Sequence, residues 1–186
     1  MKFTELPLDG AYIINQEMHE DDRGFFARYW CQKEFSEQGL VSNIAQINNA
    51  LSKRRGTLRG LHFQYPPKAE VKIIRCIRGA IWDVIVDIRQ NSVKYGQWFG
   101  AELSAENRTM IYVPKGFAHG YISLVDDSEI IYLVTEAYSP EHEGTLRWND
   151  EFLGIRWPIQ PVIISDKDAA AMNMQENIEK FKLKVD

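Results

Sequence analysis

Two cysteines in 186 residues, Cys31 and Cys76, are too few and too widely spaced for a disulfide framework or a thiolate zinc site. Free thiols point to a reducing compartment, so a cytoplasmic protein is expected. Histidine is equally scarce. His19, His62, His119 and His142 contain no HxH pair, the arrangement with which metal-binding barrels hold an ion from one strand, so no metal is expected. Long hydrophobic runs are missing too: MKFTELPLDG lacks the apolar stretch of a signal peptide, and no run approaches the ~20 apolar residues of a membrane helix. Neither charge sign is in large excess. With 22 basic and 26 acidic residues the net charge is −4, which excludes a bulk attraction to nucleic acid or anionic membranes and leaves any anion site to be built locally. Repeats, low-complexity tracts and Pro/Ser-rich linkers are absent, so residues 1–186 are expected to form one domain.

What the chain does have is an apolar fraction of 45%, 12% aromatics and a series of short alternating or β-branched runs. AYIIN, GFFARYW, IAQINNALS, EVKIIRCI, AIWDVIVDI, MIYVP, GYISLV and EIIYLVTEAY each predict a strand. Turn signals such as DDRG, KRRG, YPPK, PKG and VDDS separate them, which predicts an all-β sandwich or barrel. Residues 70–89 read as a hairpin turning at Arg78-Gly79, and the alternation of IWDVIVDIR around Asp83 and Asp87 predicts one buried and one open face. Two short peripheral helices are expected, over CQKEFSEQGL with Gly39 as its stop, and after Ser165 as N-cap.

Polar residues interrupt the apolar strands in three places. QINNALS with TLRGLHFQ brings Gln46, Asn48, Arg59, His62 and Gln64 onto or near neighbouring strands; on a period of two, Gln46 and Asn48 share a face, as do Leu58, Gly60, His62 and Gln64. GFAHGYISL carries His119 beside small residues that permit close approach of a ligand. The third stretch, 129–144, holds Tyr132, Tyr138 and Glu143. Spacing alone leaves two readings open: satisfied core histidines and tyrosines with hydroxyls reaching water, or the lining of a pocket. Lys72 is less ambiguous, because its neighbours at 71 and 73 are apolar and face the other way.

In order along the chain, DDRGFF, QINN with Ser52, TLRGLHFQYPPKAEVK, GAIWDVIVDIR, YVPKGFAHGY, AYSPEHEG, WND and ISDKD resemble the dTDP-4-dehydrorhamnose 3,5-epimerase family over nearly the whole length. The resemblance implies a cupin-like jelly-roll barrel, a homodimer and a reaction that needs neither metal nor organic cofactor. It implies epimerisation at C3 and C5 of a nucleotide-linked 4-keto-6-deoxyhexose, in deoxysugar biosynthesis, by proton removal and return beside the ketone. In that reading His62 is the base, oriented by Asp168; Tyr132 is the acid on the opposite face; and Lys72 stabilises charge on the C4 oxygen. Arg23 and Arg59 match contacts to the diphosphate and sugar, and Phe26 lines the pocket. Gln46, Asn48, His119, Glu143 and Lys167 match contacts to the nucleotide half, and Tyr138 stacks on the base or shapes the sugar pocket.

One position departs from the pattern. The family usually carries a glutamate two residues after the FF, where this chain has Arg28. A cation there reverses the local charge against the base or ribose, which leaves a CDP- or GDP-linked sugar, or inversion at a single carbon, as the alternative. Two other classes compete: a metal-dependent cupin enzyme, opposed by the missing histidine pair, and a non-catalytic sugar-binding jelly roll, opposed by the presence of both base and acid.

Overall fold

The alternating runs form strands in the computed structural model, which describes residues 1–175 and 183–185. One sheet has six strands in the order β1 (Lys2–Glu5), β2 (Tyr12–Asn15), β10 (Met110–Val113), β7 (Lys72–Arg78), β12 (Ser128–Val134) and β5 (Gln46–Ser52). A second has five, in the order β13 (Glu143–Thr145), β6 (Leu58–Gln64), β11 (Phe117–Ser123), β8 (Ala80–Asp87) and β9 (Trp98–Ser104). A separate hairpin joins β3 (Met18–Asp21) to β4 (Gly24–Ala27). The two large sheets face each other as a cupin-like jelly roll.

Period-two alternation decides what each face meets. From β7, Ile74 and Cys76 point between the sheets, where they pack with Ile81, Ile85, Ile111, Phe117 and Ile130. The outer face of the six-stranded sheet, including Ile14, Ile73, Met110 and Leu133, is covered by Phe35 of α1 (Gln32–Glu37). Behind the five-stranded sheet, Leu61, Phe63, Val84, Val86 and Ala118 are covered by Leu146, Leu153 and Met174. Burial of each such side chain is worth about 1.5–3 kcal/mol, so three stacked apolar layers hold the frame around the polar end of the sandwich.

Several expectations change. Residues 70–89 are not a hairpin: β7 and β8 lie in different sheets, and Arg78-Gly79 carries the chain from one layer to the other. Alternation encodes which face is buried, not which strand lies alongside. Strand β8 is also buried on both faces, because Asp83 and Asp87 point between the sheets with Ile81 and Ile85, where they pair with His119 and Arg89. The GFFARYW strand ends at Ala27, since Tyr29 and Trp30 turn to pack against the outer layer. β1, β3, β9 and β13 had no clear alternating signal. The helices are shorter than expected but stand where expected: Gly39, at φ +70°, ends the α1 region, and the hydroxyl of Ser165 accepts the Asp168 N–H at the start of α2 (Asp166–Ala169).

Strand β6 carries the irregularity that shapes the site. His119 pairs with His62, but two residues on Tyr121 pairs with Arg59, three residues back, so β6 holds one extra residue. This bulge puts Arg59, rather than Leu58 or Gly60, on the same side as His62. Gly60 permits it: φ is +117°, and a Cβ there would come within 2.5 Å of Gly120 Cα. Gly60→Ala is therefore expected to lower unfolding free energy by about 2–4 kcal/mol, read from urea unfolding followed by circular dichroism.

Candidate active site

The polar residues of the facing strands enclose one cavity at the open end of the sandwich. An inner compartment of about 240 Å³ is lined by Ala50, Arg59, His62, Lys72, His119, Tyr121, Ile130 and Tyr132. An outer one of about 320 Å³ shares His62, Lys72 and Tyr132 and adds Gln46, Asn48, Gln64, Glu70, Tyr138 and Glu143. His62, Arg59 and His119 come from the five-stranded sheet; Lys72, Tyr132, Gln46 and Asn48 come from the six-stranded one. The expected clusters at 46–52 and 57–64 thus meet across the sandwich rather than side by side. A larger open depression beside Asp9, Arg89 and Leu183, about 540 Å³, lies elsewhere, and its Arg89 is already paired with Asp87 at 2.6 Å.

His62 Nε2 is 2.6 Å from Asp168 Oδ1, and the Gly60 N–H donates to the other carboxylate oxygen at 3.2 Å. Burial pushes the Asp168 carboxyl up, but the hydrogen bond and charge of His62, with the Gly60 N–H and the Ser165 hydroxyl, outweigh it and hold the group below its ordinary value. An ionised Asp168 keeps the ring proton on Nε2 and leaves Nδ1 as the basic nitrogen. On the facing sheet, the Tyr132 phenol is pushed above its ordinary value, chiefly by burial and then by the charge of Glu70, with Arg59 opposing. It therefore remains a neutral proton donor. Lys72 donates to the His62 carbonyl oxygen at 3.3 Å and pairs with Glu70 at 3.1 Å. A base, a neutral acid and an ammonium thus line one cavity, the set that proton transfer beside a carbonyl requires.

At the mouth, Gln46 Oε1 accepts the Tyr138 N–H at 2.7 Å, and the Tyr138 hydroxyl donates to Glu143 at 3.2 Å. Lys167 pairs with Glu143 at 2.5 Å. Burial raises the Glu143 carboxyl, yet the Lys167 and Tyr138 contacts and the charge of His62 bring it below its ordinary value. Gln64 ties the rim together: its Nε2 donates to Lys68 O at 2.9 Å, and its Oε1 accepts the Ser139 N–H at 2.7 Å.

His119 lies deeper than its expected place in the nucleotide half, beside Arg59 in the inner compartment, with Nε2 2.7 Å from the fully buried Asp83. Three expected site residues are not brought to this cavity. Arg23 sits on the β3–β4 turn with its side chain 90% exposed and folded back on Asp21, and Phe26 is 68% exposed on the same hairpin. Arg28 donates to Glu34 of α1 at 2.9 Å. Conversely, Glu70 and Asp83 were missed. Glu70 shares the inward period of Lys72 and was legible from EVK; Asp83 read as part of an open face. Among the described residues, no group of three or more His, Cys, Asp or Glu side chains is arranged to hold a metal ion.

The family model described as dTDP-4-dehydrorhamnose 3,5-epimerase matches residues 5–176. A curated relative of that name from Methanothermobacter thermautotrophicus is 44% identical over 179 residues, covering 95% of this chain and 96% of its own. The crystal structure of the Elizabethkingia anophelis enzyme of that name superposes with a TM-score of 0.92 at 40% identity, over 95% of this chain and 98% of that one. The Bacillus anthracis enzyme, solved with TDP and PPi bound, gives 0.90 at 42% identity, over 92% and 98%. The match therefore runs through both sheets, the polar end of the sandwich and the Asp168 segment that closes it, and the chain belongs to the dTDP-4-dehydrorhamnose 3,5-epimerase family.

Proposed function

We propose that this cavity epimerises C3 and C5 of a nucleotide-linked 4-keto-6-deoxyhexose, with dTDP-4-dehydro-6-deoxyglucose as substrate. One observation carries the reading: His62 and Tyr132 line one cavity from opposite sheets, with the Lys72 ammonium beside both. A C–H next to the C4 ketone is acidified because the electron pair released can move onto the carbonyl oxygen. His62 takes that proton, and the enolate oxygen is stabilised by a hydrogen bond from Lys72. Tyr132 then protonates the same carbon from the other side, inverting it. The imidazolium and phenolate left behind recover their starting protonation through solvent at the mouth. Asp168 keeps the imidazole oriented and supports its charged form. Arg59 and His119 hold the sugar and its first phosphate, while Gln46, Asn48, Tyr138, Glu143 and Lys167 receive the nucleotide.

The remaining site residues fit a homodimer. Met18, Phe25 and Phe26 on the β3–β4 hairpin are exposed, as are Leu51 and the 66% exposed Ile47 on the outer face of edge strand β5. A second copy that buries these side chains would let each hairpin carry Arg23 and Phe26 to the partner's cavity mouth, with Arg28 behind them. Arg28 favours a second reading, a CDP- or GDP-linked substrate or inversion at one carbon, although its pairing with Glu34 offsets much of its charge.

The deciding experiment incubates the protein with dTDP-, CDP- or GDP-linked 4-keto-6-deoxyglucose in deuterated water and follows the ring protons by NMR. Deuterium at C3 and C5 of the dTDP sugar is expected; exchange at one carbon, or a preference for another nucleotide, moves the assignment to the second reading. No exchange with any of the three overturns epimerisation. His62→Ala should slow exchange by roughly 10²–10⁴-fold. Tyr132→Phe should retain washout while losing net inversion. Because burial and Glu70 push the Tyr132 phenol above its ordinary value of 10.0, kcat/KM should show no alkaline loss from this group until the pH passes about 10. Light scattering after gel filtration should give a dimer for the parent and a monomer for Ile47→Arg; a monomeric parent sinks the dimer.

A further inference from the structure

Glu70 is a carboxylate facing a cavity meant for a polyanionic ligand, a poor choice unless it does something there. Its side chain is only 10% exposed and that of its partner Lys72 only 12%, so the pair is largely removed from water. An ammonium has three N–H donors. On Lys72 one meets the His62 carbonyl oxygen at 3.3 Å, while Glu70 Oε1 forms an ion pair with the nitrogen at 3.1 Å. The hydrogen bond and the ion pair hold the nitrogen from two sides and leave N–H donors for a ligand in the cavity. The other carboxylate oxygen of Glu70 accepts from Gln64 Nε2 at 3.3 Å, and Gln64 is fixed in turn by Lys68 O and the Ser139 N–H. The anchor therefore extends to the backbone of the rim.

We propose that Glu70 is a positioning residue for the enolate-stabilising lysine: it fixes the Lys72 ammonium before substrate arrives. The proposal rests on the roles assigned above to Lys72 and Tyr132. The charge of Glu70 also bears on Tyr132, which shares the cavity with several ionisable groups. Arg59 and His62 line that cavity from β6, His119 and Tyr121 from β11, Lys72 from β7, and Tyr138 and Glu143 from the rim. β5 contributes only the neutral Gln46, Asn48 and Ala50. Cations that bind a diphosphate also favour tyrosinate, which would spoil the acid. Glu70 opposes them from within the cavity, and its charge raises the Tyr132 phenol against the pull of Arg59. A neutral residue at position 70 would leave Lys72 mobile and buried without its counter-charge.

The test compares the full-length parent with Glu70→Gln, Lys72→Met and the double variant, with near-ultraviolet circular dichroism confirming that each is folded. Glutamine is isosteric, so the cavity keeps its shape while the charge is lost. Glu70→Gln should lower kcat roughly tenfold with KM within about twofold, the signature of an interaction needed in the transition state. The tyrosinate absorbance of Tyr132, isolated by difference against Tyr132→Phe, should appear at lower pH in Glu70→Gln than in the parent. At neutral pH, well below the titration of the Tyr132 phenol, Glu70→Gln should cost almost nothing further in the Lys72→Met background. Parental kcat and tyrosinate titration in Glu70→Gln would overturn the proposal, as would losses that simply multiply in the double variant. Full activity of Lys72→Met would instead overturn the assignment of Lys72, so the two failures are distinguishable.

Discussion

One buried carboxylate, Asp168, is the tie on which the site depends. It binds the His62 imidazole at 2.6 Å and the Gly60 N–H at 3.2 Å, and its own N–H is capped by Ser165 at 3.1 Å. A buried carboxylate without such partners would cost several kcal/mol, so the bulge in β6, the orientation of His62 and the seat of α2 are satisfied together or not at all. The preceding residue is Lys167, which reaches Glu143 at the rim. Floor and mouth of the cavity are thus set by adjacent residues of a single turn of helix.

The sandwich interior changes character along its length. On β7 and the residues before it, the inward positions run Glu70, Lys72, Ile74, Cys76; on β5 they run Gln46, Asn48, Ala50, Ser52. β7 passes from polar to apolar within a few residues and β5 from amides to the small Ala50 and the buried Ser52, so the strand that packs the core also lines the cavity. A site built this way has little freedom to move, since a cavity side chain lies one strand period from a fully buried one. The outer apolar layers behind both sheets brace it from the far side.

Much of this was legible in the sequence, for a physical reason. Alternation fixes which side a residue faces, so β2, β5, β7, β8, β10, β11 and β12 could be found and Lys72 could be set on the face opposite its apolar neighbours, whereas Tyr132 stayed open between core and pocket. Alternation says nothing about neighbours, so β7 and β8 looked like a hairpin although they belong to different sheets. An aspartate on a strand ordinarily marks solvent. Asp83 and Asp87 defeat that inference because each has a cationic or hydrogen-bonding partner inside, His119 on one oxygen of Asp83 and Arg89 on Asp87. The pairing of residues 62 and 168 is invisible to any local pattern and came only from family resemblance. The bulge at Gly60 and the outward hairpin bearing Arg23 and Phe26 arise from three-dimensional fit, which spacing does not encode.

The two-layer architecture has a stereochemical consequence. Facing sheets pack at a nearly constant separation of about 10 Å, set by the interlocking side chains between them. On the proposed mechanism, a flattened sugar ring lies in that gap with one of its faces toward the β6 imidazole and the other toward the β12 phenol. The distance between base and acid, on which delivery of a proton to the opposite face depends, is then set by the thickness of the hydrocarbon spacer formed by Ile74, Ile85 and Ile111, side chains outside the cavity lining.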